Sequence, residues 1–565
     1  MSGDAAKKPQ VTGKLVISMF AAVLGMFLFG YNLGVINAPQ KMLEEFISTV
    51  YLERSGQEID ANFRDWVWAI AVSVFAIGGM AGGISGGMVA NRFGRKGGML
   101  INLVLAIIGG TFMGITKSVR SIELLILGRL IAGINCGLSS GLVPMYLIEI
   151  APVAMRGAAG TMNQLGVTFG LLSSQVLGIP LILGTEDRWQ YLFGIIVIPP
   201  VIQLLLLPTC PESPRYLLIS KQEEAEARSA LQSLRKSTDV EDEIEEMKQE
   251  DRASKDEPAV SMLQVLKGKE YRLPLIIGLM MHLSQQFSGI NAVFFYSVGI
   301  FVAAGVPEDD AKYVNIGVGV IMVVMTLVSI PLMDKAGRRT LHLCGLGGMF
   351  IFSILFTFSL VAKSVGHWVI FVSVVSTLLY VVFFAIGPGT IPWMLMAELF
   401  AQGPRPAAMS IGVLVNWSAS FLVSLIFPPM QGVLKDYSFV PFTILLAIFW
   451  IFTFKKVPET KNKTFEEIAS LFRATSRATS TPIAEAELQP VPAGNEPQIV
   501  APETPKQDET PQAAAPAPAA APAPDGEQPK HHVRKTKSRE STRSLDRIRS
   551  KEEHKHKKKS SENIA

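Results

Sequence analysis

Cysteine and charge are scarce in this sequence. Its 565 residues include three cysteines, Cys136, Cys210 and Cys344, too few and too dispersed for a disulfide framework, and no chemistry is assigned to them. Charged residues make up 18% and hydrophobic residues 49%, with a mean hydropathy of +0.33, a balance too apolar for a soluble protein of this length. The apolar runs hold no phosphate-binding loop, zinc-ligand spacing or paired catalytic carboxylates, which argues against a membrane enzyme. The net charge of +4 says little, because residues 530–565 alone hold thirteen Lys or Arg against five Asp or Glu.

What the chain has in quantity is long apolar runs. A spanning helix needs about 20 mostly apolar residues, and candidates fall at 15–37, 66–90, 98–116, 124–148, 158–183, 191–209, 271–303, 313–333, 341–362, 368–396, 408–432 and 439–455. The first has no small-residue cleavage site and reads as a retained helix. Lys and Arg gather in the loops after even-numbered runs, which places both termini in the cytoplasm and the mixed-charge loop 38–65 outside. The expectation is an all-α membrane protein with twelve transmembrane helices in two six-helix halves, 15–209 and 271–472. A cytoplasmic segment 1–14 precedes them, a cytoplasmic helical linker 210–270 joins them, and a disordered basic cytoplasmic tail 473–565 follows.

Three charged motifs occur twice. Asn91-Arg92-Phe93-Gly94-Arg95-Lys96 is echoed by Asp334-Lys335-Ala336-Gly337-Arg338-Arg339, Glu149 with Arg156 by Glu398 with Arg405, and Pro211-Glu212-Ser213 by Pro458-Glu459-Thr460. Each copy stands where an apolar run ends, so the two halves read as repeats with charges collected on one membrane face. A ring of opposite charges at matching points of two repeats is a latch, although one exposed pair contributes under about 1 kcal/mol.

Polar side chains within the runs are costly in lipid unless they face the bundle interior. Gln285, Gln286, Ser288 and Asn291 cluster in the seventh run, Gln164 lies in the fifth and Asn416 in the eleventh. Amides donate and accept, which suits neutral hydroxyls, and Trp393 and Trp417 offer faces for a pyranose. Interhelical hydrogen bonding and plain packing remain the alternative for any one of these residues. Gly387-Pro388-Gly389-Thr390-Ile391-Pro392 would leave backbone groups unpaired inside one span and marks a bend or a gate. Rows of glycine at every fourth position, such as Gly79, Gly83 and Gly87, allow close helix contact.

Pro211-Glu212-Ser213-Pro214-Arg215, Gln285-Gln286-Phe287-Ser288-Gly289-Ile290-Asn291, Gly387 to Trp393 and Val457-Pro458-Glu459-Thr460-Lys461 resemble the signatures of the sugar-porter family of the major facilitator superfamily. More narrowly, the stretches Tyr31 to Gln40 and Gly403 to Ala408 resemble class I facilitative glucose transporters, invertebrate members in particular. The resemblance covers residues 10–472. It implies the major facilitator fold, no cofactor, and D-glucose or a related hexose as substrate. It places sugar-binding amides at Gln164, Gln285, Gln286 and Asn291 and flanking aromatics at Phe384, Trp393 and Trp417. Its cytoplasmic charge network falls on Arg95, Glu149, Arg156, Glu212, Arg215, Asp334, Arg338, Arg339, Glu398, Arg405 and Glu459, which in that family lock the halves when the cavity opens outward.

Against that pattern, Met322 and Ser420 replace Asn residues of mammalian members and Ala385 replaces a Glu, each hydrogen bond being worth about 0.5 to 1.5 kcal/mol. His282 stands where glucose-selective members carry Gln, so glucose and fructose both stay open. In symporters of the family an Asp follows the Tyr of the first helix. Here Asn32 cannot titrate, which favours facilitative uniport over a proton-coupled hexose symporter. The basic tail suits anionic inner-leaflet lipid, a cytoplasmic kinase or a scaffold, with Ser541 and Ser550 in basic contexts, and no nucleic acid. It is also compatible with a transporter-like sensor. The sequon Asn462-Lys463-Thr464 falls in a stretch expected in the cytoplasm and is not expected to be glycosylated.

Overall fold

The computed structural model describes residues 11–152, 155–255, 260–401, 403–461, 463 and 467–468. The expected tail with Ser541 and Ser550, the sequon residues Asn462 and Thr464 and the side chain of Asp334 lie outside the described part. Among the described residues all regular structure is helical.

A first bundle comprises α1 (Gly13–Gly34), α3 (Ala61–Phe93), α4 (Arg95–Val119), α5 (Ile122–Ile150), α6 (Arg156–Leu177), and a span over 189–209 that opens with α7 (Trp189–Gly194) and continues through α8 (Ile198–Leu206). Between α1 and α3 lies the polar helix α2 (Gln40–Ser55). A second bundle comprises α12 (Arg272–Gln286) with α13 (Ile290–Ala303), α14 (Glu308–Ala336), α15 (Arg338–Val361), α16 (Trp368–Ile386) with α17 (Ile391–Glu398), α18 (Arg405–Leu434) and α19 (Val440–Lys456). Ten helical stretches among the described residues are long and apolar enough to cross a membrane. The two that complete the twelve are α19, shorter than any of these ten at 17 residues, and α6, whose apolar character is diluted by Gln164, Thr168, Ser174 and Gln175.

Sequence dictates how these helices meet. On α3, Gly78 and Gly82 face Gly133 and Gly137 of α5 so closely that a Cβ at Gly137 would lie 2.4 Å from the Gly79 carbonyl oxygen. Gly79 and Gly83 point instead across to Val413 and Trp417 of α18, making α3 and α18 one of the two main seams between the bundles, with α6 and α14 the other.

Two spans are broken. The Gly387–Thr390 stretch interrupts α16 and α17 as its glycines and prolines require. The interruption between α12 and α13 is not visible in the hydropathy of 271–303. It rests on Gly289, whose φ of 86° is open to glycine, and on Phe442, whose ring carbons would lie 2.7 Å from a Cβ there. The Ser288 hydroxyl donates to the Gln285 carbonyl at 2.7 Å and the Tyr380 hydroxyl to the Ser288 carbonyl, so the exposed backbone of the break finds partners.

Between the bundles, α9 (Glu224–Arg235) and α10 (Glu241–Lys255) bury a small apolar cluster that includes Leu217, Ala227, Leu231 and Ile244. This unit is tied to the first bundle. The Thr12 hydroxyl donates to the Leu234 carbonyl at 2.7 Å, and Arg235 donates to the Ile150 carbonyl at 2.8 Å while pairing with Glu243 at 2.8 Å. By contrast α11 (Met262–Lys267), opened by a Ser261–Gln264 capping box, inserts Val265 into the core of the second bundle.

Candidate functional site

The two helix breaks lie side by side, and a relay of amides joins them. Gln285, next to last in α12, donates from Nε2 to the Pro388 and Gly389 carbonyls at 2.7 and 2.8 Å, the backbone groups freed where α16 stops. Its Oε1 accepts from Asn416 Nδ2 at 2.7 Å. Asn416 Oδ1 accepts from Gln286 Nε2 at 3.1 Å, Gln286 Oε1 from Asn291 Nδ2 at 2.5 Å, and Asn291 Nδ2 also meets the Ser420 hydroxyl at 2.7 Å. All five residues are buried. Such groups cost free energy unless paired, and here they pair with one another, which presents a mid-membrane surface of donors and acceptors and no carboxylate.

Of the expected aromatics, Trp393 stands next to this relay, its ring edge-on to His282 at 4.8 Å between centroids. Phe384 packs edge-on to Phe294 at 6.0 Å. Trp417 points elsewhere: it packs on Phe29 of α1 and Phe75 of α3 at 5.7 and 6.0 Å and covers Gly79. Gln164 lies half-buried on α6, in the other bundle. The structure therefore brings Gln285, Gln286, Asn291 and Asn416 together within one half and seats Trp417 at the seam.

At one end of the bundle, here called the motif end, the repeated charges build two matching caps. Glu212 accepts from the backbone amides of Arg95 and Lys96 at 3.0 Å each, satisfying the free amides that open α4. Glu459 accepts from those of Arg338 and Arg339 at 2.8 and 3.1 Å. Gly94 and Gly337 admit these carboxylates with φ of 82° and 86°, a Cβ lying 2.3 and 2.6 Å from Glu212 and Glu459 oxygens. Beside each cap stands an ion pair, Arg95 with Glu149 at 2.8 Å and Arg338 with Glu398 at 3.1 Å. A hydroxyl braces each, Ser213 to Glu149 and Thr460 to Glu398, both at 2.5 Å. Every one of these contacts stays inside its own half. Arg156 and Arg405 open α6 and α18, Arg405 donating to the Phe400 carbonyl at 3.1 Å. Arg339 donates to the Phe454 carbonyl at 2.7 Å, and Arg215 directly precedes a π-helix over Tyr216–Lys221.

A family model described as Sugar (and other) transporter matches residues 17–472. The chain belongs to that family. The facilitated glucose transporter member 3 of solute carrier family 2 from Ovis aries is 50% identical over 463 residues, 82% of this chain and 93% of the relative. Its counterpart from Homo sapiens is 48% identical over 463 residues, with shares of 82% and 93%. Among solved structures, the inward open xylose transporter XylE from E. coli matches with a TM-score of 0.68 at 29% identity, over 81% of this chain and 99% of XylE. The proton:xylose symporter XylE bound to 6-bromo-6-deoxy-D-glucose matches at 0.65 and 29%, over 82% and 100%. These are transporters and not enzymes.

Two features of this sugar transporter were missed in the sequence. Arg129 of α5 is fully buried, donates to the Asn32 carbonyl at 2.8 Å and lies 4.5 Å over the Phe75 ring. A charged residue inside the apolar run 124–148 was itself the signal. The second is a buried polar bolt at the end opposite the motifs. Asn37 Nδ2 donates to the Phe294 carbonyl and the Ser297 hydroxyl at 3.0 and 2.6 Å, Ser297 donates to Asn315 at 2.6 Å, and Gln175 donates to Asn315 at 3.3 Å. With the Lys41–Glu308 pair at 2.9 Å, it fastens the two bundles together at that end.

Proposed function

We propose that this member of the sugar transporter family carries glucose or a related hexose across the plasma membrane by facilitative, uncoupled alternating access. The observation that carries the reading is the amide relay between two helix breaks: neutral hydrogen-bonding groups matched to sugar hydroxyls, placed where local backbone can move. The named relatives, a facilitated glucose transporter and a symporter bound to a glucose derivative, support the substrate class. Gln285, Gln286, Asn291 and Asn416 bind the sugar, Trp393 and Phe384 flank it, and Gln164 completes the site from the other half. Met322, buried on α14, and Ala385 on α16 supply no hydrogen bond to it.

Uncoupled movement follows from charge. Among the described residues no Asp or Glu of a spanning helix is buried, and Arg129 meets the carbonyl of Asn32 where a proton carrier would need a carboxylate. The second reading, proton symport, is favoured by the XylE likeness. Hexose uptake into vesicles, with and without an imposed pH gradient and an uncoupler, separates the two. Uptake that equilibrates and ignores the gradient is expected, and accumulation that collapses with uncoupler refutes uniport. Absence of uptake would favour a sensor.

The charge distribution supports a motif end facing the cytoplasm, with both termini there. The bolt at the opposite end then closes the outer gate, while the Arg95–Glu149 and Arg338–Glu398 pairs each join helices of one half. Residues 15–209 and 271–472 are the transporting halves, 210–270 their cytoplasmic linker, and 473–565 a regulatory tail for anionic lipid or a kinase. A chain ending at 472 should keep transport per molecule at the surface.

A further inference from the structure

We propose that a cavity at the end opposite the motifs binds an amphipathic monoanion, a carboxylate on an aliphatic chain, and that the occupant keeps the outer gate shut. The site rests on its own geometry, and its effect on uptake on the transport reading above. The cavity, about 320 Å³ in volume, lies where α13, the end of α15 and the turn between α18 and α19 meet. Its floor is apolar: Ile300, Phe356, Leu360 and Phe439 are all buried. Phe439 is held in an aromatic wall, edge-on to Phe356 at 4.9 Å and to Phe442 at 5.7 Å. The rim is charged. Lys363 pairs with Asp436 at 2.7 Å and so joins the turn after α15 to the turn after α18. Lys435, which lines the same cavity, has no ion-pair partner among the described residues.

Two lysines and one aspartate leave the rim with a surplus of one positive charge. A ligand with an apolar body and a single negative charge therefore answers floor and rim together. An uncharged chain would leave Lys435 unanswered, and a sugar would set its hydroxyls against the aromatic wall. A second observation concerns the backbone. Lys435 has φ 48° and ψ −116°, a region that glycine enters freely and a side chain enters only under strain. The chain nevertheless carries a lysine there, beside the cavity.

One wall of the cavity belongs to the gate. On α13 the Phe294 carbonyl, the Ser297 hydroxyl and the Val298 amide meet Asn37 of the first half. At about 100° per residue, Ala303 falls on the side of α13 turned away from that bolt, and it lines the cavity with Ile300. To part from Asn37 the helix must move back toward the cavity. An occupant there fills the space behind the helix and opposes the opening of the bolt.

The test is a melting-temperature titration of the full-length protein in phosphatidylcholine nanodiscs with octanoate and with oleate, octanol serving as the uncharged control. Hexose uptake into vesicles is measured alongside. At least one acid should raise the melting temperature, because it binds the folded state, and octanol should not. Octanoate alone would assign the site to a water-borne ligand and oleate alone to one from the bilayer; either supports it. Lys435→Gln should weaken the apparent Kd about two- to five-fold, and Asp436→Asn, which frees Lys363, should tighten it by a similar factor. Ala303→Phe places a ring in the cavity and should abolish the shift while slowing uptake without any acid. Added acid should slow uptake by the unaltered protein and do so less in Lys435→Gln. No shift with either acid, an equal shift with octanol, or Kd changes of the same sign in Lys435→Gln and Asp436→Asn would overturn the site. Binding that leaves uptake unchanged would overturn its hold on the gate. Should Ala303→Phe fail to fold, Lys435→Gly decides, since it relieves the backbone and removes the cation. A higher melting temperature without acid and a weaker Kd are then expected, and an unchanged Kd refutes the proposal. No uptake by the unaltered protein without acid would instead refute the transport reading, with the melting titration still deciding the site.

Discussion

The two halves agree at their motif ends and differ in their middles. At the motif end Glu212, Gly94, Arg95, Glu149 and Ser213 of the first half have counterparts in Glu459, Gly337, Arg338, Glu398 and Thr460, down to the contacts each makes. In mid-membrane the second half holds the amide relay, whereas the first holds a smaller knot. There Asn102 donates to the Asn135 carbonyl and Ser139 at 3.0 and 2.9 Å, and Asn135 returns a bond to the Asn102 carbonyl at 3.1 Å. That knot uses backbone carbonyls of unbroken helices, while the relay leans on the carbonyls of a broken one. The halves match where their helices are capped and differ where the proposed sugar site lies.

The sharpest break of that comparison lies in the middle. Replacing Gln285 and Gln286 together with Leu should cut uptake by more than about a hundred-fold, two buried partners of a coupled network being lost at once, with surface expression retained. Asn102→Leu should instead lower thermal stability, leaving the KM of the surviving protein unchanged. A large KM effect at Asn102 would show that this knot, and not only Gln164, belongs to the site.

Next come the capping glycines. Gly94→Ala and Gly337→Ala each place a Cβ against a carboxylate at positive φ and should each cost about 1 to 3 kcal/mol, read as matched losses in melting temperature. Unequal losses would show that one cap matters more than its twin. Smaller still are the ion pairs. Glu149→Gln and Glu398→Gln should shift the relative affinities of ligands applied from the two faces in opposite directions, by about two- to ten-fold. The effect should be larger for Glu149, because Arg95 and Glu149 are 11% exposed each against 18% and 25% for Arg338 and Glu398.

The smallest effect concerns Glu44 on α2, whose carboxyl is pushed above the usual range chiefly by burial. Gln40 donates to it at 2.8 Å, Arg64 opposes the shift, and Asp65 and Glu45 add to it. The folded protein thus holds that proton more tightly than the unfolded chain does. Its contribution to stability is full below the ordinary glutamate value, and is lost as pH rises through the raised one. Glu44→Gln should flatten this slope in a pH series of melting temperatures by about 1 °C or less; a slope unchanged by the substitution would remove the assignment.

Most of the fold was legible because membrane length and charge leave few options: runs, repeats and the Gly387 to Pro392 punctuation each state their consequence. The break at Gly289 was hidden, since one glycine in an apolar run carries no hydropathy signal and only Phe442, distant in sequence, shows why no side chain fits. Composition alone could not direct Trp417, yet helix geometry does: neighbours on a helix point about 100° apart, so when Asn416 faces the relay, Trp417 must face α3. Arg129 is less legible, because one cation within the long apolar run 124–148 barely lowers its hydropathy and nothing in the sequence names the Asn32 carbonyl as its partner.

The relay is already complete without a guest. A hexose entering it cannot simply add bonds; it must take donors and acceptors away from partners that hold them, so each new contact is a trade and the net gain is small. A carrier of this kind grips loosely and lets go quickly. On the proposed binding mode Gln285 would give up the Pro388 and Gly389 carbonyls to reach the cargo, and arrival of the cargo would also untie the α16–α17 junction. Occupancy and loosening become one event, and an empty carrier keeps its own joint tied.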